Sequence, residues 1–445
     1  MRGDLRGDLR IANQLESANR HPLKVDLNRS SVNREEKQKE KKESEVAFRG
    51  THRMTPPPPI RTETPNTPSG NAFAHYSMSV RVPKILEEVS ARNPDYPQSV
   101  HDSIARLRDD VRAGGPLPPL GFPAPDTGEW QAALDERAGE TWLATDWFFA
   151  ENYVYRCLMT AVRYWENGRD PFAPAKQEEL AGAALWHGLR RALDLVVASD
   201  PERIAALLVG ALWGNRVDLS YAVGVAFGAA GESADLLCDD SARAAEQLLL
   251  PGGDVHVVID NMGSELSMDL ALADALIGRA GARVSLHVKM HPTLVSDVVA
   301  ADVWSLLAAF SARGGGAAAL ADRLQRAWRD QRLRVLPDPF WNGPRFLWDR
   351  PPRLARELDA ATAVVLKGDA NYRRAVGDAL WPAETTFAEA TGYLPAPVVA
   401  LRTLKSDALV GLSADQMSRL DAADRDWRIN GRRGLIQTGG RWPSR

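Results

Sequence analysis

Val82, Ile85, Leu86 and Val89 recur at the three- and four-residue spacing of one helix face,. The same periodicity runs through residues 147–165, 177–198 and 201–212. Residues 80–250 therefore read as mainly helical, interrupted by a Pro/Gly-rich loop at 114–127. The pattern then changes. Short β-branched or apolar runs stand at 255–260, 283–289, 333–336, 363–367 and 398–401, with a weaker one at 435–437. Helical stretches at 266–280, 298–313 and 317–329 separate several of them. Strands that are apolar at nearly every position, alternating with helices, predict a mostly parallel sheet covered on both faces. The expected fold class is α/β: a Rossmann-like α/β/α sandwich at 251–445, preceded by an N-terminal helical subdomain at 80–250.

The segment before residue 80 lacks this periodicity. Residues 1–53 are poor in aromatics and hold the run Glu35-Glu36-Lys37-Gln38-Lys39-Glu40-Lys41-Lys42. So little apolar surface cannot offset the entropy of ordering, and a disordered extension is expected. Residues 54–79 read as an extended Pro-rich arm that includes Pro56-Pro57-Pro58-Pro59,. Met54 is expected to be the natural start; intact residues 1–53 in the mass spectrum of the native protein would overturn that.

At 445 residues, 44% hydrophobic and 25% charged, the chain has the composition of a soluble globular protein able to bury a large core,. Two cysteines, Cys157 and Cys238, make neither a disulfide framework nor a zinc knuckle,. No apolar run reaches the roughly 18 residues of a membrane helix, and no secretory h-region opens the chain. A cytoplasmic location without a membrane partner is expected. Residues 1–53 carry 13 basic and 9 acidic groups, the remainder 42 basic and 49 acidic. An acidic body argues against nucleic acid as a partner.

Ligands of open parallel sheets bind beyond the carboxyl ends of the strands. Asp260-Asn261-Met262-Gly263-Ser264-Glu265 follows the first predicted strand, and Lys289-Met290-His291, then Asp297, the second. Lys367-Gly368-Asp369-Ala370-Asn371 and Arg402-Thr403-Leu404-Lys405 follow later ones. Asp260, Asn261 and Asp297 offer two carboxylates and an amide oxygen, a set suited to a hard divalent ion. An ordinary Asp-Asn turn is the bland alternative. Lys367, Arg402 and Lys405 are the cationic counterpart that a phosphate monoester needs. His287 and His291 are four apart, but on a strand that spacing does not join side chains. Gly314-Gly315-Gly316 lacks the Lys-Ser/Thr of a phosphate loop and reads as a linker. Glu151 stands out as a carboxylate in the apolar stretch around Trp147,.

At these residues, from about 56 to 437, the chain resembles the damage-control phosphatase family, once called domain of unknown function 89. The matching pieces are Ala72, His75 and Tyr76 with Arg81-Val82-Pro83, then residues 147–156, 212–220, 260–265, 367–373 and 402–405. The last is the Arg-Thr-x-Lys signature of the sugar-phosphate subgroup. The resemblance implies metal ligation by Asp260, Asn261 and Asp297. It also implies substrate contact by Arg402, Thr403, Leu404 and Lys405, with Asn215 and Glu265 nearby, and places Lys367, Asp369 and Asn371 on the substrate side. The family's Gly-Lys-x-Gly turn reads Gly431-Arg432-Arg433-Gly434 here, so Arg432 stands for its lysine, a fork donor for a point charge,. The implied activity is hydrolysis of small ketose phosphates such as fructose 1-phosphate with Mn²⁺, Co²⁺, Ni²⁺ or Mg²⁺. Water activated by the metal is the preferred nucleophile, and an aspartyl-phosphate the open alternative. The rival readings are an S-adenosylmethionine-dependent protein carboxyl methyltransferase, weakened by the lack of a Gly-x-Gly-x-x-Gly loop, and a non-catalytic sugar-phosphate binder. A phosphatase of phosphopantetheine compounds is a third, disfavoured by the Arg402–Lys405 stretch.

Overall fold

Seven strands form one sheet: β1 (Leu236–Asp239), β2 (Asp254–Val258), β3 (Arg283–Val288), β4 (Leu333–Pro337), β5 (Ala363–Lys367), β6 (Pro397–Thr403) and β7 (Gly434–Gly440). They belong to a computed structural model that describes residues 55–67, 70–197, 199–214 and 235–442. The expectations for residues 1–53, for Met54 and for Asn215 lie outside the described residues. The strand order is β1-β7-β6-β5-β2-β3-β4. From β6 to β4 every neighbouring pair is parallel; β7 runs antiparallel to β6, and β1 parallel to β7.

The apolar continuity of the strands has a direct structural consequence. Val255, Val257, Ala363, Val365, Val399 and Leu401 pack into one layer with helices Asp200–Trp213, Ser264–Ile277, Ala300–Arg313 and Gly315–Arg329. Their neighbours Val258, Val364, Leu366, Val398 and Ala400 face the opposite layer, with Leu354, Tyr372, Val376 and Phe387. Because strand side chains alternate, a strand buried on both faces is apolar at successive positions. Each fully buried Val or Leu contributes about 1.5–3 kcal/mol. The α/β sandwich with a mostly parallel sheet is present.

Three differences from the sequence reading follow from tertiary contacts. β1 was not predicted: it is four residues long and half-buried throughout, an edge strand without alternation. It lies before residue 250, and helix Asp200–Trp213 packs on the sheet, so the sandwich draws on the stretch assigned to the helical region. Helix also begins at Ala72, inside the expected arm, because Asn71 caps it by accepting the Ala74 N–H (2.9 Å),. The segment before it is strapped to the body: Ile60 N–H donates to Asp378 O (2.9 Å) and Trp147 N–H to Ile60 O (2.9 Å).

Helices Val82–Arg92, Gln98–Ala113 and Trp147–Ala161 bury Leu86, Val89, Val100, Ile104, Tyr153 and Leu158 in a core of their own. Between Ala72–Tyr76 and Val82–Arg92 the helix widens into a π-turn, Ser77–Arg81, with Val82 N–H donating to Ser77 O. Pro83 has no N–H to give Ser79 O, and its ring crowds that carbonyl. A widened turn ahead of the proline accommodates both constraints.

Candidate active site

β2 and β3 end at the same edge of the sheet, and the segment after β3 folds back onto the end of β2. Asn261 and Asp297 form an isolated antiparallel bridge; Met262 N–H donates to Ser296 O (2.7 Å) and Val298 N–H to Asp260 O (2.9 Å). Ser296 Oγ donates to Asn261 Oδ1 (2.7 Å), and buried Lys176 donates to Asp297 O (3.0 Å). The turn itself is strained. Leu294 and Val295 have φ of 47° and 72°, and Ser296 N–H donates to Leu294 O (3.0 Å), a tight turn that β-branched residues avoid,. Neighbouring contacts hold this geometry, and it delivers Asp297 to Asp260.

A cavity of about 90 Å³ opens there, several times the roughly 10–15 Å³ that seats one water,. Asp260, Asn261, Asp297, Asp369 and Lys405 line it. Burial, then the charges of Asp297 and Glu265, push the Asp260 carboxyl well above the ordinary range. Burial also raises Asp297, against Lys289, whose ammonium lies 3.2 Å from Asp297 Oδ2. Burial in turn lowers Lys289, which donates to Trp341 O (2.8 Å). Asp297 Oδ2 lacks a well-aligned hydrogen-bond donor. Two buried carboxylates that repel one another, only one of them paired with a lysine, suit a hard divalent cation,. Among the described residues no group of three or more His, Cys, Asp or Glu is placed to hold a metal. The Asn261 amide directs its NH₂ to Asp260 Oδ2 (2.7 Å) and Glu265 Oε1 (3.1 Å), so ligation through oxygen requires the amide turned over,.

The expected cations separate. Lys405 is exposed on the cavity wall. Lys367 is buried behind it, 3.1 Å from Asp269 and bonded to Ala211 O (2.7 Å). Arg402 is fully buried over Tyr372 and donates to Asp369 Oδ1 (2.8 Å) and Ser406 Oγ (2.8 Å). That carboxylate oxygen also accepts the Lys405 backbone N–H (3.2 Å). Burial raises Asp369, but Arg402 and Arg373 outweigh it and hold the carboxyl below its ordinary range. Arg402 thus shapes the loop that carries Lys405.

The remaining expected residues lie one step back. Glu265 touches Asn261 and lies 3.7 Å from Lys367. Asn371 is buried and donates to Lys367 O (2.8 Å). Thr403 ends β6, and Leu404 is buried in a small cluster with Trp427. Arg432 is exposed on a turn tied to the same loop by Gly431 N–H to Leu404 O (2.9 Å). Neither it nor Lys367, Arg402 or Asn371 lines the cavity. His287 meets His256 (2.8 Å) inside the sheet, while His291 contacts Trp165; the two do not form a pair.

Arg81, Trp147, Leu294 and Arg373 also line the cavity and were not predicted as site residues. Glu151 was singled out, and its partner is Arg373, which also pairs with Asp378 (2.7 Å) over the Trp147 ring. Pro83 inside a helical pattern was the available signal for Arg81. Both cysteines are free, and burial pushes each thiol up to about 12, away from the thiolate form in which cysteine attacks,. Among the described residues no helix is long and apolar enough to cross a membrane.

Residues 75–420 match the family described as the damage-control phosphatase ARMT1-like domain. The chain is 29% identical over 428 residues to damage-control phosphatase ARMT1 of Mus musculus and 25% over 430 residues to that of Homo sapiens; each match covers 83% of this chain and 96% of the relative. A crystal structure of a DUF89 family protein from Pyrococcus horikoshii superposes with a TM-score of 0.44 at 14% identity, over 82% of this chain and 98% of the other. With residues 75–420 matched to that family, the chain belongs to the damage-control phosphatase family, in its ARMT1-like branch.

Proposed function

We propose that the chain hydrolyses the phosphate ester of a small sugar phosphate, of the fructose 1-phosphate kind, with a divalent ion (Mn²⁺, Co²⁺, Ni²⁺ or Mg²⁺) held by Asp260, Asn261 and Asp297. The observation that carries this reading is the shared cavity, lined by two buried carboxylates and an amide together with exposed Lys405. When bound, such an ion polarises the phosphoryl group and offsets its charge. The Lys405 ammonium takes a phosphoryl oxygen, and the N-terminus of helix Gly368–Val376, which reaches the cavity at Asp369 and Ala370, adds its dipole,. Asp369, clamped by Arg402, fixes the Lys405 loop and so the distance between cation and acids. Hydrolysis joins a water oxygen to phosphorus, breaks the bond to the sugar oxygen and returns a proton to that oxygen. The Arg402-Thr403-Leu404-Lys405 stretch supports a sugar-phosphate substrate.

The test is phosphate release by the purified chain over a panel of sugar phosphates, with EDTA and with each ion restored. Release that EDTA stops and Mn²⁺ or Co²⁺ restores is the expected result. Release indifferent to chelation rejects the metal. Labelled methyl transfer from S-adenosylmethionine that is lost in Asp260→Ala would replace the phosphatase reading.

A further inference from the structure

Arg81 closes the π-turn Ser77–Arg81 and lines the same cavity as Asp260, Asp297 and Lys405. Three cations reach that cavity. Arg373 is engaged by Glu151 and Asp378. Arg81 and Lys405 have no ion-pair partner within 4 Å among the described residues. An arginine whose fork is unsatisfied, on the wall of a cavity otherwise rich in acids, is available to an incoming anion. Arg81 is exposed, so its guanidinium is open to solvent and to a ligand entering the cavity.

A second observation ties Arg81 to Lys405. The Asn71 amide oxygen caps the helix that runs into the π-turn, accepting Ala74 N–H (2.9 Å), while its NH₂ donates to Asp407 Oδ2 (2.9 Å). Asp407 lies two residues beyond Lys405. One side chain therefore joins the two elements that bring the unpaired cations, which arrive from opposite ends of the chain. π-turns inside α-helices recur at functional sites, and here Pro83 supplies a local cause for one.

We propose that Arg81 is a phosphoryl-binding residue of the substrate pocket, a fork donor to two phosphoryl oxygens that works with the point charge of Lys405. The proposal deepens the phosphatase reading and rests on it for the identity of the substrate, but not for the anion. Fork geometry favours a phosphoryl group over a lone sugar hydroxyl, because two parallel N–H donors match two oxygens on one atom.

The experiment uses the full chain with Mn²⁺, inorganic phosphate as the calorimetric probe, and sugar-phosphate turnover as a second readout. Arg81→Gln is expected to weaken phosphate binding by about 10- to 100-fold and to raise KM by a similar factor, with kcat changed far less and the melting temperature unchanged. Arg81→Lys is expected to recover part of the loss, since charge returns without the fork. Unchanged phosphate affinity in Arg81→Gln, or no phosphate binding by the wild-type chain, overturns the proposal. A chain that releases no phosphate from any sugar phosphate yet binds phosphate through Arg81 sinks the phosphatase reading and leaves this one standing.

Discussion

Gly368 leaves the space that the Asp260 carboxylate occupies. Its φ is +82°, and a Cβ added there would overlap both oxygens of Asp260. β5 ends beside β2, so the turn out of β5 has to pass directly over the acid at the end of its neighbour. A glycine suits that turn for both reasons, its left-handed backbone and its missing side chain.

Gly368→Ala is therefore expected to lose phosphate release by at least about 100-fold, because Asp260 is displaced. Strain at positive φ and the overlap should lower the unfolding free energy by about 1–3 kcal/mol. Urea unfolding and phosphate release measure both, and wild-type turnover in this variant would refute the relationship.

Asp260→Asn is expected to abolish turnover and to raise the unfolding midpoint. The wild-type carboxyl is held well above its ordinary range by burial, Asp297 and Glu265. A raised folded-state pKa makes the ionised acid a cost that appears as pH rises above the unfolded value near 3.9, and a neutral amide removes it at pH 7. Mn²⁺ should raise the melting temperature of the wild type and not of the variant. An equal Mn²⁺ shift in both would place the ion elsewhere.

Two lysines that look alike in sequence should separate in function. Lys405→Ala is expected to raise KM several-fold with little change in melting temperature, since its exposed ammonium makes no ion pair within 4 Å among the described residues. Lys367→Met leaves Asp269 buried and unpaired, costing about 3–5 kcal/mol at neutral pH,. Burial already pushes the Asp269 carboxyl up to about 6 despite the lysine. The deficit in Lys367→Met should accordingly shrink as pH falls and the acid takes up a proton. A Lys367→Met chain of full stability with a raised KM would assign that lysine to the substrate instead.

The His256–His287 pair sets an acid limit on stability. Burial and His256 hold His287 down at about 3, so it folds neutral and must take a proton in acid. Its contribution is complete above the unfolded value near 6.5 and is lost as pH falls towards 3, at about 1.4 kcal/mol per pH unit. Between pH 6.5 and 5 this amounts to about 2 kcal/mol. His287→Gln should flatten that part of the curve; an identical slope in urea unfolding at the two pH values would contradict it.

What the amino-acid sequence determined alone was whatever depends on neighbours along the chain. Double-faced apolar strands such as 363–367 need no partner to be recognised, and a parallel sheet then puts the residues after them at one edge, which is why Asp260, Asp369 and Lys405 were legible as companions. Tertiary structure decided which of those side chains face the cavity. Lys367 and Arg402 turned inward because Asp269 and Asp369 wait there, while Lys405 is exposed on the cavity wall. It also brought in Arg81, through a proline-induced π-turn far away in sequence, and revealed β1, an edge strand too short to carry a pattern. Local periodicity reports burial; the pairing of a charge depends on groups 33 residues away for Arg402 and 98 for Lys367, and only the folded chain brings them within reach.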